Sequence, residues 1–386
     1  MRHYFDHAAT SPLRTEAREA WLMASEVLGN ASSTHSAGQD ARRVLEDSRE
    51  RIAAVLGCEP IEVVLTSGGT ESINFALNGL WSSRAVTATA IVMPDAEHHA
   101  TIDTVSALVS RGAELRTVPV TDTARIPVEL FTDALPGAAL ATALVANNEV
   151  GTVNDAAGLA MAAADAGIPL HLDAVSALGH VPLSFRALRG DAPAGAGLVA
   201  MSLAGHKIGA TVGTGVAVVA RTARISALLH GGAQQRGLRA GTQDVAGATA
   251  LAVALECAEA ERAAESVRLR GLRDRLVVGI RSEVASSVLL GDPDLRLPGN
   301  AHFLFPGAVG ESLLFLLDRE GIAVSTGSAC QAGVAEPSHV VMAMGRSAQD
   351  ARSVLRFSLG RTTTEEDVDA VLAVIGEISR RASTGA

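Results

Sequence analysis

The chain has 386 residues, of which 48% are hydrophobic and 19% are charged, a balance that excludes a disordered protein and supplies a large buried core. Its net charge of −10 and its lack of basic clusters interleaved with aromatic residues argue against a nucleic-acid partner. The first residues are charged and no run of about 18 apolar residues occurs, so we expect no signal peptide and no membrane partner, and we predict a cytoplasmic protein.

Helical and strand-like patterns alternate along the chain from about residue 38. Apolar strand-like runs occur at 61–67, 90–94, 141–147, 169–175, 198–203 and 215–221, and helical patterns occupy 39–57, 71–81, 99–112 and 156–167. This alternation predicts an α/β fold with a mostly parallel central sheet wrapped by helices. Ligands of such sheets bind beyond the carboxyl ends of the strands, so a site is expected there.

The organisation changes after a long helical stretch at 244–282, beyond which the patterns become shorter and mixed. We predict a large domain at 14–255 and a smaller α+β domain formed by 1–13 together with 256–386. A segment rich in glycine, alanine and proline, 188–197, is interpreted as a loop insertion.

The sequence VVLTSGGTES, residues 63–72, joins an apolar strand to the start of a helix. Its glycines let backbone N–H groups approach an anion, the helix N-terminus adds partial positive charge, and Ser67 or Thr70 can add a hydroxyl donor. The turn is therefore a candidate phosphate site, with an ordinary capped strand-to-helix turn as the alternative.

Two other strand ends carry ionisable residues. Asp173 closes the apolar strand of PLHLDAVSALG, where a buried carboxylate must either bind a cation or cap the next helix. His98 and His99 follow the strand AIVMP in the run DAEHHAT. Adjacent histidines point in different directions, so a shared metal is not expected, and we predict one exposed ring and one ring that lines a pocket.

Lys207, in LAGHKIG, is the only lysine among the 32 lysine and arginine residues of the chain. Arginine matches its charge, but a lysine amine can lose its proton and attack a carbonyl. Its retention suggests covalent chemistry, and a chance remnant in a surface loop is the alternative.

Three cysteines, Cys58, Cys257 and Cys330, are too few and too dispersed for a disulfide framework or a zinc cluster. Cys330 lies in IAVSTGSACQAG, where small neighbours suit an accessible loop thiolate, whereas the other two fit buried core positions. Arg356 alternates with apolar residues in VLRFSLG. Its planar guanidinium suits a carboxylate, and a structural salt bridge is equally compatible with the pattern.

Together these residues supply an amine, a phosphate cradle, a strand-end acid, a histidine able to stack, a loop thiol and a carboxylate-binding arginine. The set matches pyridoxal phosphate chemistry on an amino acid. In that chemistry the amine holds the cofactor aldehyde as a Schiff base, and the acid keeps the pyridine nitrogen protonated.

Ordered motifs along nearly the whole chain resemble those of the cysteine desulfurases of the NifS/IscS type. These motifs are YFDHAATSP, GNASSTHSAG, TSGGTES, EHHA, NNEVGT, HLDAVSALG, GHK, RGLRAGT, STGSAC, EPSHVVMAMG and LRFSLGRTTTEEDVD. That family belongs to the class-V aminotransferases, with the PLP-dependent transferase fold of type I. The resemblance implies pyridoxal 5'-phosphate as the cofactor and a homodimer.

The resemblance also implies roles for individual residues. Lys207 holds the cofactor and moves the Cα proton of the substrate, and Cys330 receives the substrate sulfur as a persulfide. By the same resemblance, the cofactor phosphate is bound by Gly69, Thr70 and His206 and is contacted from the partner subunit by Thr242. The cofactor ring is stacked by His98, which also takes part in catalysis, is paired at its nitrogen by Asp173, and is contacted near its phenolic oxygen by Ser176. The substrate carboxylate is bound by Arg356, and both cofactor and substrate are contacted by Asn148.

The implied reaction converts L-cysteine to L-alanine and passes the sulfur from Cys330 to an acceptor protein, as in iron–sulfur cluster assembly or the sulfuration of tRNA and cofactors. One alternative is a pyridoxal phosphate lyase for selenocysteine or another C–S bond, or a sulfur donor dedicated to one pathway. Another is a non-catalytic scaffold of sulfur-carrier assembly. The retention of Lys207, Asp173, Cys330 and Arg356 argues against the scaffold.

The chain departs from the family pattern in four ways. Ser176 replaces a glutamine and Ala204 replaces a phosphate-binding serine. Ala233 and Gln235 replace the usual glycine and glutamate, and the 188–197 insertion lies between the acid and the lysine. We expect each lost hydrogen bond to a charged group to slow one step by roughly ten- to a hundredfold without abolishing activity.

Overall fold

The computed structural model describes residues 2–327 and 336–383. In these ranges the strands are β1 (His3–Tyr4), β2 (Val63–Thr66), β3 (Ala90–Pro94), β4 (Glu114–Val118), β5 (Ala138–Leu144), β6 (Pro169–Asp173), β7 (Gly197–Ala204), β8 (Gly215–Val219), β9 (Val288–Leu290), β10 (Asn300–Leu304), β11 (Ile322–Ala323) and β12 (Val354–Ser358). The helices are α1 (Thr15–Ser25), α2 (Ser36–Leu56), α3 (Gly69–Ser82), α4 (His99–Val109), α5 (Val128–Ala134), α6 (Ala156–Asp165), α7 (Phe185–Arg189), α8 (Val245–Glu283), α9 (Gly310–Arg319), α10 (His339–Ala343) and α11 (Glu365–Ser383).

A seven-stranded sheet in the order β2-β8-β7-β6-β5-β3-β4 lies at the centre of the larger core. The five strands from β7 to β4 in this order are parallel, and β8 pairs antiparallel with both β7 and β2. β5 and β7 are buried along their whole length, which explains why they consist of small and apolar residues with little polar alternation. The predicted α/β architecture with a mostly parallel sheet is confirmed.

Several strand boundaries differ from the sequence prediction by one to three residues, and β5 shows the largest difference. The strand expected at 141–147 begins at Ala138 and ends at Leu144, because alanines have a weak strand preference and hide its start. After its end, the Asn147 side-chain oxygen accepts hydrogen bonds from the N–H groups of Glu149 and Val150, both at 2.9 Å. This local turn ends the strand before the apolar pattern ends.

A second core forms around the antiparallel sheet β12-β10-β9, with packing from α9, α11 and the second half of α8. The N-terminal strand β1 pairs in parallel with β11, and Asp6 bridges to Ser358 at the end of β12. Phe5 packs edge-on against Phe357, with 6.1 Å between the ring centroids. The first residues of the chain are therefore anchored in the same core as its C-terminal strands.

Helix α8 contributes to both cores. Its apolar residues from Ala248 to Ala258 pack in the larger core, and those from Leu269 to Ile280 pack in the second core. The boundary predicted between residues 255 and 256 thus lies inside one continuous helix. The division into 14–255 and 1–13 with 256–386 stays a prediction.

The segment interpreted as a loop insertion, 188–197, begins in the last turn of α7 and ends where β7 starts. The Arg189 guanidinium donates hydrogen bonds to the carbonyl oxygens of Ala192 at 3.3 Å, Pro193 at 3.0 Å and Ala196 at 3.1 Å. One side chain therefore satisfies several backbone acceptors of the insertion and holds its conformation.

Three residues other than glycine between β8 and α8 have left-handed backbone conformations. The φ angles are 58° at Ala233, 51° at Gln235 and 61° at Arg236. The Gln235 side chain accepts a hydrogen bond from the Leu65 N–H at 2.6 Å and donates one to the Leu65 carbonyl at 2.9 Å, along the outer edge of β2. An ionised glutamate at this position could accept but not donate, so the glutamine secures the strained segment to the sheet.

Ala233→Gly should raise the free energy of unfolding by up to about 1 kcal/mol. A left-handed conformation costs a residue with a Cβ roughly 1–2 kcal/mol, and the extra flexibility of glycine in the unfolded chain offsets about half of this gain. Urea unfolding measures the difference. The matched control is Ala260→Gly on the exposed face of α8, where the helical backbone makes glycine unfavourable by about 1 kcal/mol. Equal losses at both positions would contradict the prediction.

Candidate active site

A cavity of about 380 Å³ opens at the carboxyl edge of the large sheet. Nine of the residues predicted for the site line it: Gly69, Thr70, His98, Asn148, Asp173, Ser176, His206, Lys207 and Arg356. They come from the ends of β3, β5, β6 and β7, from the start of α3, and from β12 of the second core. The cavity thus lies where the two cores meet.

The candidate phosphate turn faces this cavity. α3 begins at Gly69, and its N-cap residue Gly68 has a φ of 152°. A Cβ atom on Gly69 would lie 2.7 Å from a methyl carbon of Val175, so only glycine allows this close packing. Thr70 lines the cavity, whereas Ser67 lies outside it and gives its N–H to Glu71 at 2.8 Å. Of the two hydroxyls considered, Thr70 is the one available to a ligand.

Lys207 lies in a short 3-10 turn, Gly205–Lys207, directly after β7. Its Nζ atom donates hydrogen bonds to the carbonyls of Ala8 and, at 3.2 Å, Ala9. Burial, reinforced by the nearby charge of Arg356, lowers the pKa of the amine to about 8. About a tenth of the lysine is therefore neutral and nucleophilic at pH 7, a far larger fraction than at the ordinary pKa of 10.5.

Asp173 is the last residue of β6 and is 2% exposed. Its Oδ1 atom accepts a hydrogen bond from the Val175 N–H at 2.9 Å, and burial raises its pKa to about 6. The next helix, α7, begins only at Phe185, so Asp173 caps a turn and not a helix. A cation supplied by a ligand would stabilise the ionised form of this carboxyl group.

His98 and His99 both line the cavity and both are partly buried, so the prediction of one exposed ring is wrong. His98 Nδ1 accepts the Ala100 N–H at 3.0 Å as the N-cap of α4. The ring of His339 covers His99, with 4.8 Å between the centroids. Burial, with a contribution from Lys207, lowers the pKa of His98 to about 4, so its neutral ring carries the proton on Nε2.

Arg356 on β12 lines the cavity and also forms a salt bridge, which unites the two interpretations of its sequence pattern. Its Nη2 atom donates to Asp6 Oδ1 at 2.9 Å, and Nη1 donates to the Asn148 carbonyl at 2.9 Å. The Asn148 side-chain oxygen is buried without a hydrogen-bond partner in the described parts of the chain. Such an orphaned group beside a cavity indicates a polar ligand.

Two predicted residues lie away from this group. Thr242 is exposed and lines a separate pocket beside β2 with Ser67 and Gln235. Cys330 lies outside the described residues. The other two cysteines differ from each other, because Cys58 is buried but Cys257 is only partly buried on α8, which corrects its prediction as a core residue.

The family substitutions remove polar groups from the cavity wall. Ala204 lines the cavity with a methyl group, and Ser176 is partly buried beside Lys207 and Asn148. His206 remains, with Nδ1 at 3.3 Å from the hydroxyl of Thr10. The wall therefore offers a phosphate fewer side-chain donors than the family pattern, and a larger share falls to Thr70 and to the N-terminus of α3.

Comparisons with known proteins agree with this geometry. A family model described as aminotransferase class-V matches residues 3–371. The chain is 45% identical to an IscS-like cysteine desulfurase of Mycobacterium tuberculosis, covering 98% of this chain and 96% of the relative. It is 38% identical to the cysteine desulfurase IscS of Methanosarcina thermophila, covering 98% and 92%. A solved NifS-like protein superposes with a TM-score of 0.91 at 31% identity, covering 99% of this chain and 100% of that one.

The chain belongs to the class-V aminotransferases, among the cysteine desulfurases of the IscS and NifS type. Members of this family depend on pyridoxal phosphate, and the cavity of this class-V aminotransferase fits that cofactor in three respects. The glycine turn and the N-terminus of α3 suit its phosphate. The buried Asp173 suits a protonated ring nitrogen. The side-chain oxygen of Asn148, which has no hydrogen-bond partner among the described residues, lies beside the same cavity.

The described ranges are residues 2–327 and 336–383. They contain no group of three or more histidine, cysteine or acidic side chains arranged to hold a metal ion. In the same ranges, no helix combines the length and the apolar character that crossing a bilayer requires.

Glu97, which the sequence analysis did not select, is buried directly behind the cavity wall of this aminotransferase. Its Oε1 atom accepts the Leu144 N–H at 2.9 Å, and Oε2 has no partner among the described residues. Burial raises its pKa to about 8, assisted by the neighbouring Asp173. The EHHA motif contains the residue, but no feature of the motif shows that the glutamate points inward.

Glu97→Gln should stabilise the protein increasingly as the pH rises from about 5 to 8. The wild-type native state retains a proton that the unfolded chain releases above its ordinary pKa of 4.5, so wild-type stability falls across this window. The difference should grow by about 1.4 kcal/mol per pH unit and level off above pH 8. Urea unfolding at several pH values measures it. The exposed Glu129→Gln on α5 is the control, and equal pH profiles for both variants would contradict the prediction.

Proposed function

We propose that this protein is a cysteine desulfurase that uses pyridoxal 5'-phosphate to convert L-cysteine to L-alanine and delivers the sulfur to an acceptor. The observation that carries the proposal is the convergence of the only lysine, the buried Asp173 and Arg356 on one cavity. The named relatives are cysteine desulfurases. A structural neighbour at 27% identity and a TM-score of 0.79 is described as SspA in complex with cysteine, which supports this substrate.

Bound pyridoxal phosphate supplies an aldehyde that condenses with amines and a ring that withdraws electrons from the adjacent carbon. Lys207 suits the attachment of that aldehyde, because its lowered pKa provides neutral amine near pH 7. Once released by an incoming amino acid, the same amine can accept the Cα proton. We assign phosphate binding to Gly69, Thr70 and His206.

Two other residues, Asp173 and His98, are proposed to pair with the charge of the cofactor ring and to donate a proton within the cavity. Asp173 suits the protonated ring nitrogen. Among the described residues its carboxylate accepts one hydrogen bond, from the Val175 N–H, so it can also pair with a cation. His98 uses Nδ1 to accept the Ala100 N–H, so Nε2 carries a proton that it can donate within the cavity. Stacking of its ring on the cofactor is part of the same proposal, as is the contact of Ser176 near the phenolic oxygen.

Arg356 and Asn148 are proposed to hold the substrate. The guanidinium of Arg356 suits the α-carboxylate of L-cysteine because it can form parallel N–H bonds to both oxygens. The side-chain amide of Asn148 lies next to it and is free to contact the substrate or the cofactor.

Sulfur transfer is assigned to Cys330. Its thiolate attacks the substrate sulfur, a S–S bond forms and the C–S bond breaks. The electron pair of the broken bond stays with carbon, which takes up a proton and leaves as L-alanine. Cys330 then carries the sulfur as a persulfide, and no external oxidant or reductant is needed for this step.

A homodimer is also part of the proposal. Thr242 does not line the cavity of its own chain but is exposed next to the phosphate turn's strand, β2. This position supports its proposed contact with the partner's cofactor phosphate. Transfer of the sulfur to an acceptor protein and a cytoplasmic location are also parts of this proposal.

Cys330→Ala should lower alanine formation from L-cysteine by more than about a hundredfold, because the variant lacks the thiolate that accepts sulfur. The measurement is alanine released by the cofactor-loaded protein in the presence of a thiol reductant. Cys257→Ala, which removes a partly buried thiol on α8, should retain wild-type activity. Undiminished alanine formation by Cys330→Ala would favour a lyase that releases sulfide directly.

Lys207→Arg should lower turnover by about a thousandfold or more, since arginine keeps the charge but cannot act as an amine base at pH 7. Single-turnover alanine formation measures the loss. Arg43→Lys at an exposed position on α2, which also exchanges one cation for another, serves as the control. Full turnover by Lys207→Arg would disprove the assigned role.

A further inference from the structure

Arg356 uses only part of its hydrogen-bonding capacity on the protein. A guanidinium carries five N–H groups. One bond from Nη1 reaches the Asn148 carbonyl and one bond from Nη2 reaches Asp6, both at 2.9 Å. The Nε atom is buried and lacks a partner among the described residues. Each of Nη1 and Nη2 retains a second N–H group for a ligand, and the ion pair with Asp6 does not consume these groups.

Asp6 supplies the charge that this buried cation requires. Arg356 is 5% exposed, and a buried charge that loses its partner is strongly destabilising. Asp6 forms the one salt bridge of Arg356 found in residues 2–327 and 336–383. Lys207, the other cation at this wall, instead donates to the neutral carbonyls of Ala8 and Ala9.

Backbone contacts fix Asp6 relative to Arg356. Asp6 bridges in parallel to Ser358, which lies two residues beyond the arginine on β12, and the His7 N–H donates to the Ser358 carbonyl at 3.3 Å. The Tyr4 hydroxyl donates to the Asp6 carbonyl at 3.0 Å. Asp6 contacts the guanidinium at Nη2 but is not among the residues that line the cavity. Its carboxylate therefore holds the arginine in one direction without occupying the cavity wall.

We propose that Asp6 is a positioning residue for recognition of the substrate carboxylate and acts through Arg356. This inference rests on the function proposed above. Asp6 holds one end of the guanidinium. The remaining N–H groups can therefore bind the α-carboxylate while the ion pair between Asp6 and Arg356 stays intact. Removal of Asp6 frees the arginine to change its rotamer, and the carboxylate then has to order it on binding.

Asp6→Ala should raise KM for L-cysteine about tenfold while kcat changes less than about threefold, as expected from the loss of one charged hydrogen bond that orients the arginine. The KM for L-cysteinamide, which lacks the carboxylate, should stay the same in both proteins. Asp6→Asn keeps an oxygen that can accept the Nη2 hydrogen bond, so it should lose less than Asp6→Ala.

The matched control is Asp318→Ala, which removes the exposed ion pair with Arg2 and should leave both substrates unaffected. Thermal unfolding of each variant reports whether the fold is retained. A purely structural role for Asp6 predicts equal losses for L-cysteine and L-cysteinamide, and that result would overturn the proposal. An unchanged KM for L-cysteine in Asp6→Ala would overturn it as well.

A binding measurement separates this proposal from the desulfurase function. Titration of the cofactor-loaded protein with L-alanine or L-alaninamide, followed by the cofactor's absorbance, requires no cleavage of a C–S bond. Asp6→Ala should weaken L-alanine about tenfold and leave L-alaninamide unchanged. Absence of alanine formation from L-cysteine would disprove the desulfurase function alone. Wild-type protein that binds both ligands equally would disprove the role of Asp6.

Discussion

The burial of Lys207 beside Arg356 is the constraint on which the rest of the site depends. Two cations share one wall of the cavity, and burial together with their repulsion brings the pKa of the lysine to about 8. The arrangement is stable because Asp6 pairs with the arginine, Asp173 lies across the cavity, and backbone carbonyls receive the amine. The reactivity of the amine is therefore a property of its surroundings and not of the residue alone.

The sheet beneath the site keeps Asp173 in place. His171, two positions earlier on β6 and on the same face, lies between the hydroxyls of Thr142 on β5 and Ser202 on β7, at 2.9 and 2.8 Å. Burial lowers its pKa to about 3, so the ring is neutral and acts once as donor and once as acceptor. Three neighbouring strands are thus tied together directly below the acid.

The sequence alone could predict the residues that sit at strand ends, because a parallel sheet brings those ends to one edge. Asp173 and His98 are predicted in this way, Lys207 is predicted because it is the only lysine of the chain, and the family motifs add Asn148. It could not predict the ion pair of Asp6 with Arg356, which are 350 positions apart, or the carbonyls of Ala8 and Ala9, which have no side-chain pattern.

The incorrect predictions have similar causes. The sequence predicts one exposed ring in the pair His98 and His99, because nothing local shows that His339 packs over His99. Cys257 lies among apolar residues in the sequence, but the face of α8 that carries it is only partly covered. In both cases the environment depends on which distant parts of the chain cover the residue, and no local pattern shows that.

The anchoring of the N-terminal segment in the second core also has a consequence for synthesis. Phe5 and Asp6 leave the ribosome long before their partners on β11 and β12, since Asp6 and Arg356 are 350 positions apart. The large sheet can form earlier, since its last strand is complete at Val219. The nascent chain therefore carries Lys207 on a folded sheet before the wall that buries its amine exists, and the enzyme acquires its chemistry only in the final stage of folding.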